Sequence, residues 1–374
     1  MGRRERLLFA GGGLGLLAVL ALVLGGLALL RPIRAAASGK AEISAPPVSG
    51  AAEREAPEGQ KDDAPEGWEQ RVALVQDRFR PGEPITAVLS GEGVRGEDNI
   101  RALLFDAGGK RLGAAPFFVF DGEGEERLWA ALLAIPSTAR PGPASLRVEA
   151  GGALLGTIGF TIEDRKFAAE EIPLDSNNTD IRTRPDPQKT REAEILWALL
   201  SRSGEELYTL GPFMFPVRST RRTSRFGDRR VYLYADGTRG ASIHAGVDYG
   251  VPKGTKVYSC AAGKVVLAGP RIVTGNSVVL EHLPGLYSLY YHLDRIEVKE
   301  GDLVEAGSLL GYSGATGLAT GPHLHWEVRA AGENVDPDSF TAAPILDKTV
   351  VLDKLRYSGL RYEGVPVKEP TEVW

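Results

Sequence analysis

Short apolar segments separated by turn residues recur along most of this chain, and they limit the folds that it can adopt. Pro84–Ser90, Leu128–Ala134 and Ser277–Glu281 are typical examples, each with glycine, proline or charged residues at or near its ends. Apolar runs of this length are typical of strands, whereas helices are indicated by longer segments in which apolar residues recur every three or four positions. The 46 glycines and 24 prolines supply the turns that many short strands require. We therefore predict a mostly β fold.

The first group of these segments, within residues 68–164, predicts an antiparallel β-sandwich of immunoglobulin-like kind. This region contains no histidine and no cysteine, and its acidic residues lie mainly in turns. We expect a spacer or a binding module here, because no catalytic group is present. The predicted strands are 71–76, 84–90, 100–105, 116–120, 128–134, 144–149 and 154–162.

The N-terminal residues carry the signature of a membrane segment. Positions 7–30 contain no charged residue and follow a Met-Gly-Arg-Arg-Glu-Arg start. As a helix, a run of this length spans about 36 Å, which is enough to cross a hydrocarbon core of about 30 Å. It is also long for a cleaved signal peptide. Residues 1–34 are therefore predicted to be a transmembrane signal anchor, and the Ala-, Pro- and Glu-rich residues 35–67 a flexible linker.

Three further regions follow the sandwich. Residues 165–205 form a connector, in which Pro185–Leu200 is expected to be helical because Ile195 with Leu199, and Leu196 with Leu200, make an apolar stripe. Residues 206–345 return to strand-like segments without a helical period and predict a compact, mostly antiparallel β domain. Residues 346–374 are a C-terminal extension.

Charge and cysteine content exclude several classes of function. A net charge of -5, with 25% charged residues, gives no global attraction to nucleic acid, and no nucleic-acid partner is expected. The single cysteine, Cys260, cannot form an internal disulfide framework or a cysteine-rich zinc cage. Any bound metal must therefore be held by histidine and carboxylate side chains.

Four of the five histidines, His244, His292, His323 and His325, lie among glycine-rich, strand-like segments of the C-terminal half. In His323-Leu-His325 the two imidazoles leave the same face of a strand. This spacing fits two metal ligands, and it equally fits one ligand beside a catalytic base.

A further ligand pair is suggested by His244-Ala-Gly-Val-Asp248. In an extended strand these two side chains would stand about 13 Å apart, too far to bind one ion. The segment must therefore bend, and Gly246 is the residue that permits it. One imidazole and one carboxylate, with a third ligand from the His-Leu-His segment, would leave one position open to water, as in catalytic zinc sites.

In order and spacing these motifs resemble the lysostaphin-type (LytM) zinc metallopeptidases, which are peptidoglycan endopeptidases with a β fold like that of duplicated hybrid motifs. The resemblance covers Phe213–Pro337 and rests on His-x-x-x-Asp, Tyr-x-His-Leu and Gly-Pro-His-Leu-His-Trp-Glu-Val-Arg. It implies a zinc ion as the only cofactor. The implied ligands are His244, Asp248 and His325, with His323 as general base for the attacking water and His292 as a stabiliser of the oxyanion.

The resemblance predicts a single-pass, membrane-anchored and extracytoplasmic zinc endopeptidase that cleaves stem peptides or cross-bridges of peptidoglycan during wall remodelling or division. The sandwich could then dock a cell-wall or division protein. The alternative is a non-catalytic peptidoglycan-binding regulator that activates other wall hydrolases. One departure from the family pattern is a longer, polar stretch at residues 230–242. An arginine cluster around it fits either an anionic ligand or a solvated strand edge; its members are Arg218, Arg221, Arg222, Arg225, Arg229 and Arg230.

Overall fold

The computed structural model describes residues 71–91, 99–122 and 127–361. The predicted membrane segment at residues 7–30 and the predicted linker at 35–67 lie outside these residues. Within the described part of the chain, no helix combines the length and the hydropathy needed to cross a membrane. The expectation of a mostly β fold with antiparallel sheets is confirmed.

Two antiparallel sheets face each other across the first core, built from Ile85, Leu104, Leu133 and Leu146 among others. One sheet has the order β1-β2-β6-β5 and the other the order β4-β3-β7-β8. The predicted bounds of β2 and β6 are those observed, whereas β4 was not predicted because it has little apolar alternation. The strands are β1 (Arg71–Leu74), β2 (Pro84–Ser90), β3 (Arg101–Asp106), β4 (Arg111–Pro116), β5 (Phe118–Asp121), β6 (Leu128–Ala134), β7 (Gly142–Ala150) and β8 (Ala153–Ile162).

The connector contains β9 (Ala169–Pro173), α1 (Ser176–Thr183) and α2 (Pro187–Leu200). Asp175 and Asp186 cap the two helices, each accepting a backbone N–H of the first turn through its side chain. The apolar stripe expected on α2 is only partly buried: Leu200 is 2% exposed, but Ile195 is 60% exposed. The face of α2 that packs on the β domain is therefore narrower than the sequence pattern indicates.

The C-terminal domain is built on a large antiparallel sheet with the order β10-β13-β20-β17-β16-β15-β18, to which β14, β19 and β21 add. A small sheet, β12-β11-β9, stands beside it and includes one parallel pair, β9 with β11. The strands are β10 (Arg222–Ser224), β11 (Arg229–Leu233), β12 (Arg239–Ile243), β13 (Val247–Tyr249), β14 (Lys256–Tyr258), β15 (Gly263–Arg271), β16 (Gly275–Leu283), β17 (Leu286–Ile296), β18 (Leu303–Val304), β19 (Leu309–Ser313), β20 (Leu324–Ala330) and β21 (Glu333–Val335).

Strand β6 joins the two domains because both of its faces are buried. Trp129 and Leu133 face the sandwich core. Leu128, Ala130 and Leu132 belong to the core of the C-terminal domain. A continuous apolar run, without the alternation of a half-exposed strand, is the sequence that such a position requires. The sandwich is therefore packed against the C-terminal domain and shares its apolar core.

The end of the described chain returns to the sandwich. A 3-10 helix (Pro337–Phe340) leads to α3 (Lys348–Ser358), and β22 (Leu360–Arg361) then pairs antiparallel with β1. Residue Asp347 caps α3 by accepting two backbone N–H groups. This return adds a second connection between the sandwich and the C-terminal domain.

Candidate metal centre

The centre forms where three neighbouring strands of the large sheet, β13, β20 and β17, carry polar residues at directly paired positions. Asp248 on β13 lies opposite His325 on β20, and Tyr291 on β17 lies opposite His325 from the other side. The ring of Tyr291 stacks on that of His325, with centroids 5.6 Å apart and planes inclined by 5°. Two central strands therefore fix the positions of Asp248 and His325.

His244 reaches the same point because the chain turns between β12 and β13. Gly246 lies at this turn, where a Cβ atom would stand only 2.2 Å from the backbone oxygen of Trp326. Any larger residue would collide with the neighbouring strand. The bend expected at Gly246 is present, and it brings His244 and Asp248 together.

Three ligand atoms converge in this buried space. Asp248 Oδ1 lies 2.7 Å from His325 Nδ1 and 3.1 Å from His244 Nε2. The two imidazole nitrogens are 3.0 Å apart. His244, Asp248 and His325 are the set whose donor atoms are close enough to hold one metal ion. These are the three residues that the resemblance assigns as ligands.

The hydrogen bonds on the far side of each imidazole show what this space accepts. His244 Nδ1 lies 2.8 Å from the carbonyl oxygen of Arg225, so it must be the protonated nitrogen. His325 Nε2 lies 3.0 Å from the Glu327 carboxylate and is protonated for the same reason. When both rings are neutral, the nitrogens that face Asp248 Oδ1 carry lone pairs. Lone pairs and a carboxylate oxygen repel one another at these distances, so the arrangement fits a cation at their centre.

Burial and neighbouring charges perturb the pKa values of these groups. Burial lowers the pKa of His244. It opposes charge on His325 as well, but the Asp248 carboxylate outweighs it and raises the His325 pKa to about 9. Burial also opposes ionisation of Asp248, yet its imidazole neighbours hold its pKa well below the ordinary value. The centre therefore keeps an ionised carboxylate and attracts positive charge.

His323 stands at the edge of the centre, just ahead of β20. The strand begins at Leu324, and His323 forms an isolated bridge with Gly314. Its Nδ1 donates to the Gly321 carbonyl at 2.8 Å, which leaves Nε2 as an acceptor. That Nε2 lies 3.8 Å from Asp248 Oδ1, so His323 faces the same space as His325, as the alternation predicts.

His292 lies beside His323, with ring centroids 4.7 Å apart. Its backbone has φ 61°, a left-handed conformation that is unusual for a residue with a side chain. The Nδ1 atom donates to the Thr316 carbonyl at 2.8 Å, so Nε2 is an acceptor in the neutral ring. Burial lowers the pKa of His292 to about 3, which favours that neutral form. An oxyanion role would therefore require His292 to gain a proton.

Two further residues, Glu327 and Arg230, were not assigned to the metal centre from the sequence. Glu327 orients His325, and although burial opposes its ionisation, Arg329 outweighs burial and lowers its pKa to about 2. Arg230 donates to Asp248 Oδ2 at 2.7 Å. For Glu327 a signal existed, because it follows His325 by two residues and so shares its face.

Three of the six arginines in the cluster fit neither of the two expectations made for it. Arg222 makes two hydrogen bonds to the Asp338 carboxylate, at 2.8 and 2.9 Å. Arg229 donates to the carbonyl oxygens of Gly227 and Ser137. Arg230 is 12% exposed and is occupied by carboxylates of this chain. These three arginines are internal structural contacts, neither a solvated strand edge nor a free anion-binding surface.

A β domain in which two imidazoles and a carboxylate converge on a space that fits one cation, with a third and a fourth imidazole at its edge, has the arrangement expected of a metallopeptidase. Residues 242–337 match the model of peptidase family M23. These residues therefore form a peptidase M23 domain, and the resemblance to lysostaphin-type peptidases is confirmed. For this domain, the predicted class of enzyme, a metalloendopeptidase, is confirmed with it.

Curated relatives match the same part of the chain. DD-carboxypeptidase/endopeptidase Mpg of Neisseria meningitidis is 37% identical over 134 residues, which are 33% of this chain and 30% of that protein. Peptidoglycan DD-endopeptidase ShyB of Vibrio cholerae is 44% identical over 93 residues, 25% of this chain and 22% of that protein. Lysostaphin of Staphylococcus staphylolyticus is 42% identical over 87 residues, 23% of this chain and 18% of that protein. The chain thus spans less than a third of the length of these relatives.

Proposed function

We propose that this protein is a membrane-anchored, extracytoplasmic zinc endopeptidase that hydrolyses peptide bonds in peptidoglycan stem peptides or cross-bridges. The observation that carries the proposal is the convergence of three potential ligand atoms from His244, Asp248 and His325 within 3.1 Å of one another. The similarity to a peptidoglycan DD-endopeptidase and to a DD-carboxypeptidase/endopeptidase supports the substrate class.

Zinc is the metal that this donor set suits best. Two neutral imidazoles and one carboxylate are ligands of catalytic zinc, and such sites keep a further position for water or substrate. The chemistry that zinc supplies there is Lewis acidity, which acidifies water and polarises a carbonyl group. His244 and His325 would bind it through Nε2 and Nδ1 respectively, since their other nitrogens are committed to Arg225 and Glu327.

The two remaining imidazoles are proposed to handle protons. His323 presents an unprotonated Nε2 to the centre, so it can accept a proton from the attacking water as general base. His292 is held by Thr316 with its Nε2 also free of a proton. It can stabilise negative charge on the tetrahedral intermediate once it is protonated. Its ring lies beside that of His323, so a proton could pass between the two imidazoles.

The sandwich is proposed to be an immunoglobulin-like module that docks a cell-wall or division protein. Its strand orders, β1-β2-β6-β5 and β4-β3-β7-β8, correspond to the A-B-E-D and C′-C-F-G orders of immunoglobulin-like sandwiches. Membrane anchorage through residues 7–30 is proposed from their uncharged sequence. An extracytoplasmic position is proposed because the peptidoglycan substrate lies outside the cytoplasmic membrane.

Digestion of purified peptidoglycan tests the activity. The purified protein is expected to contain zinc and to release new amino termini, and muropeptide analysis with and without a chelator would identify the bond that is cut. Absence of both zinc and new termini would contradict the enzyme and favour a non-catalytic regulator. Protease treatment of intact cells tests the location: an extracytoplasmic domain is degraded, whereas protection of residues 71–361 would contradict the proposed topology.

A further inference from the structure

Arg230 makes a contact to the metal centre that the ligand set alone does not explain. Its Nη2 donates to Asp248 Oδ2 at 2.7 Å, while its Nε donates to Glu170 Oε1 at 2.6 Å. The arginine side chain is 12% exposed and that of Asp248 is 9% exposed. The pair is thus nearly removed from water, where a charge-assisted hydrogen bond is strong.

Backbone pairing holds this chain of three side chains in place. Glu170 of β9 lies directly beside Arg230 of β11 in the parallel pair. Ser224 of β10 lies opposite Asp248 of β13. The Ser224 hydroxyl donates to Glu170 Oε1 at 3.2 Å, so Glu170 is held by Ser224 as well as by Arg230. The connector, through β9, therefore contributes a residue within two side-chain contacts of the metal ligand.

Because of this contact, the two carboxylate oxygens of Asp248 have different partners. Oδ1 faces His244 and His325, whereas Oδ2 is occupied by Arg230. A carboxylate held in this way can offer only one oxygen to an ion, and it cannot rotate to offer both. Arg230 also brings a positive charge close to the cation, which by itself would weaken binding. The carboxylate of Glu170 lies on Arg230 and offsets that charge.

We propose that Arg230 and Glu170 are positioning residues of the metal centre: Arg230 fixes Asp248 as a one-oxygen ligand, and Glu170 both holds Arg230 and cancels its charge. The proposal rests on the proposed metal site. Partners that orient a ligand in this way typically change metal affinity about 10- to 100-fold when they are removed. The connector is then part of the centre and not only a link between domains.

Metal binding to the purified protein tests this proposal with Arg230→Gln, Arg230→Lys and Glu170→Gln. Zinc affinity is measured by competition with a chelator, and the visible absorption of the cobalt(II)-loaded protein reports the ligand geometry. Arg230→Gln and Glu170→Gln are each expected to weaken zinc binding about 10- to 100-fold and to change the cobalt spectrum. Arg230→Lys keeps the charge but cannot bridge both carboxylates, so an intermediate loss is expected.

A matched control lies in the same small sheet, β12-β11-β9. Arg239 of β12 and Glu171 of β9 form an ion pair at 3.1 Å, but their side chains are 60% and 55% exposed and do not touch Asp248. Arg239→Gln and Glu171→Gln are expected to keep wild-type zinc affinity and the wild-type cobalt spectrum, because exposed pairs contribute little. A loss equal to that of the Arg230 and Glu170 variants would indicate a general effect of the small sheet and overturn the proposal.

The outcomes separate this proposal from the proposed function. If the wild-type protein binds no zinc and cleaves no peptidoglycan, the proposed function is wrong. If the wild-type protein binds zinc but Arg230→Gln and Glu170→Gln match it in affinity and spectrum, the positioning roles are wrong, even if the melting temperature falls. Should Arg230→Gln fail to fold, Glu170→Gln decides the question, since Glu170 is 30% exposed and its loss is better tolerated.

Discussion

The metal centre and the surroundings of His282 are two buried polar clusters of the same domain. They differ in whether every hydrogen-bond acceptor has a donor. His282 Nδ1 donates to the Ala262 carbonyl at 2.8 Å, and its Nε2 lies 2.7 Å from the Ser288 hydroxyl. That hydroxyl lies 3.0 Å from the Tyr290 hydroxyl, whose oxygen accepts the N–H of Cys260. Each acceptor in the His282 cluster therefore has a donor.

The comparison shows that burial of a histidine is not sufficient for a metal site. Both clusters contain imidazoles whose outer nitrogen is bonded to a backbone or carboxylate acceptor. In the His282 cluster the inner nitrogen meets a hydroxyl that can donate a proton. In the metal centre the inner nitrogens of His244 and His325 meet each other and an ionised Asp248. Only the second arrangement needs a proton or a metal cation between its acceptor atoms.

The largest expected effect is that of Asp248→Asn, which keeps the shape of the side chain and removes its charge. Zinc affinity should fall by more than the roughly 10²-fold that loss of a supporting residue can cause. Peptidoglycan cleavage should fall with it to the level of the chelated protein. Zinc content after dialysis and release of amino termini measure the two effects. Retention of zinc at full stoichiometry would remove Asp248 from the ligand set.

A smaller loss is expected from His323→Ala, because His323 is proposed to act on water and not to bind the metal. Cleavage should fall on the order of 10²- to 10⁴-fold, the usual contribution of a general base. Zinc content should remain that of the wild type, since the variant keeps all three proposed ligands, His244, Asp248 and His325. Loss of zinc from this variant would instead place His323 among the ligands.

The ligands of the centre could be predicted from the sequence because they are close together along the chain. His244 and Asp248 flank a glycine, and His325 follows His323 by two residues, so local geometry is enough to place each pair on one face. Arg230 could not be assigned in this way. Its contact with Asp248 depends on the pairing of β11 with β9, and no local pattern distinguishes Arg230 from the arginines around it.

The strands were predictable where turn residues bound an apolar run, as for β2 and β6. Strand β4 was missed because Leu112 is its only large apolar residue, and it forms because β3 supplies a partner. The docking of the sandwich on the C-terminal domain was not foreseen either. Its signal was present in β6, which lacks polar alternation and is buried on both faces.

The His282 cluster should affect stability as a function of pH and leave metal binding unchanged. Burial lowers the His282 pKa from its ordinary 6.5 to about 4, so the folded protein keeps the ring neutral where the unfolded chain protonates it. The stabilisation is complete above pH 6.5 and is lost as the pH falls toward 4, by roughly 3 kcal/mol at about 1.4 kcal/mol per pH unit. Cys260 and Tyr290, the titratable neighbours, stay neutral because burial raises both pKa values.

Urea unfolding of wild type and His282→Gln at pH 7, 6 and 5 measures this contribution. The free energy of unfolding should fall more steeply with decreasing pH in the wild type than in the variant, because all other titrating groups are common to both. Parallel pH profiles would contradict the assigned role of His282. Zinc content at pH 7 should be equal in the two proteins.

The smallest effect is expected at Cys260, and it separates the two clusters most directly. Cys260 is 0% exposed, and burial raises the pKa of its thiol to about 12, so at neutral pH it carries almost no reactive thiolate. Iodoacetamide should label the native protein only as fast as it unfolds, and urea should make labelling immediate.

Cys260→Ala should lose about 1 kcal/mol of stability through the small cavity that it leaves. Its zinc content and cleavage rate should equal those of the wild type, because the thiol lies beside His282, 3.7 Å from Nε2, and not beside the metal ligands. Loss of cleavage with zinc retained would mean that the His282 cluster takes part in the reaction. The distinction between a His282 cluster that only stabilises the fold and a metal centre that carries the chemistry would then be wrong.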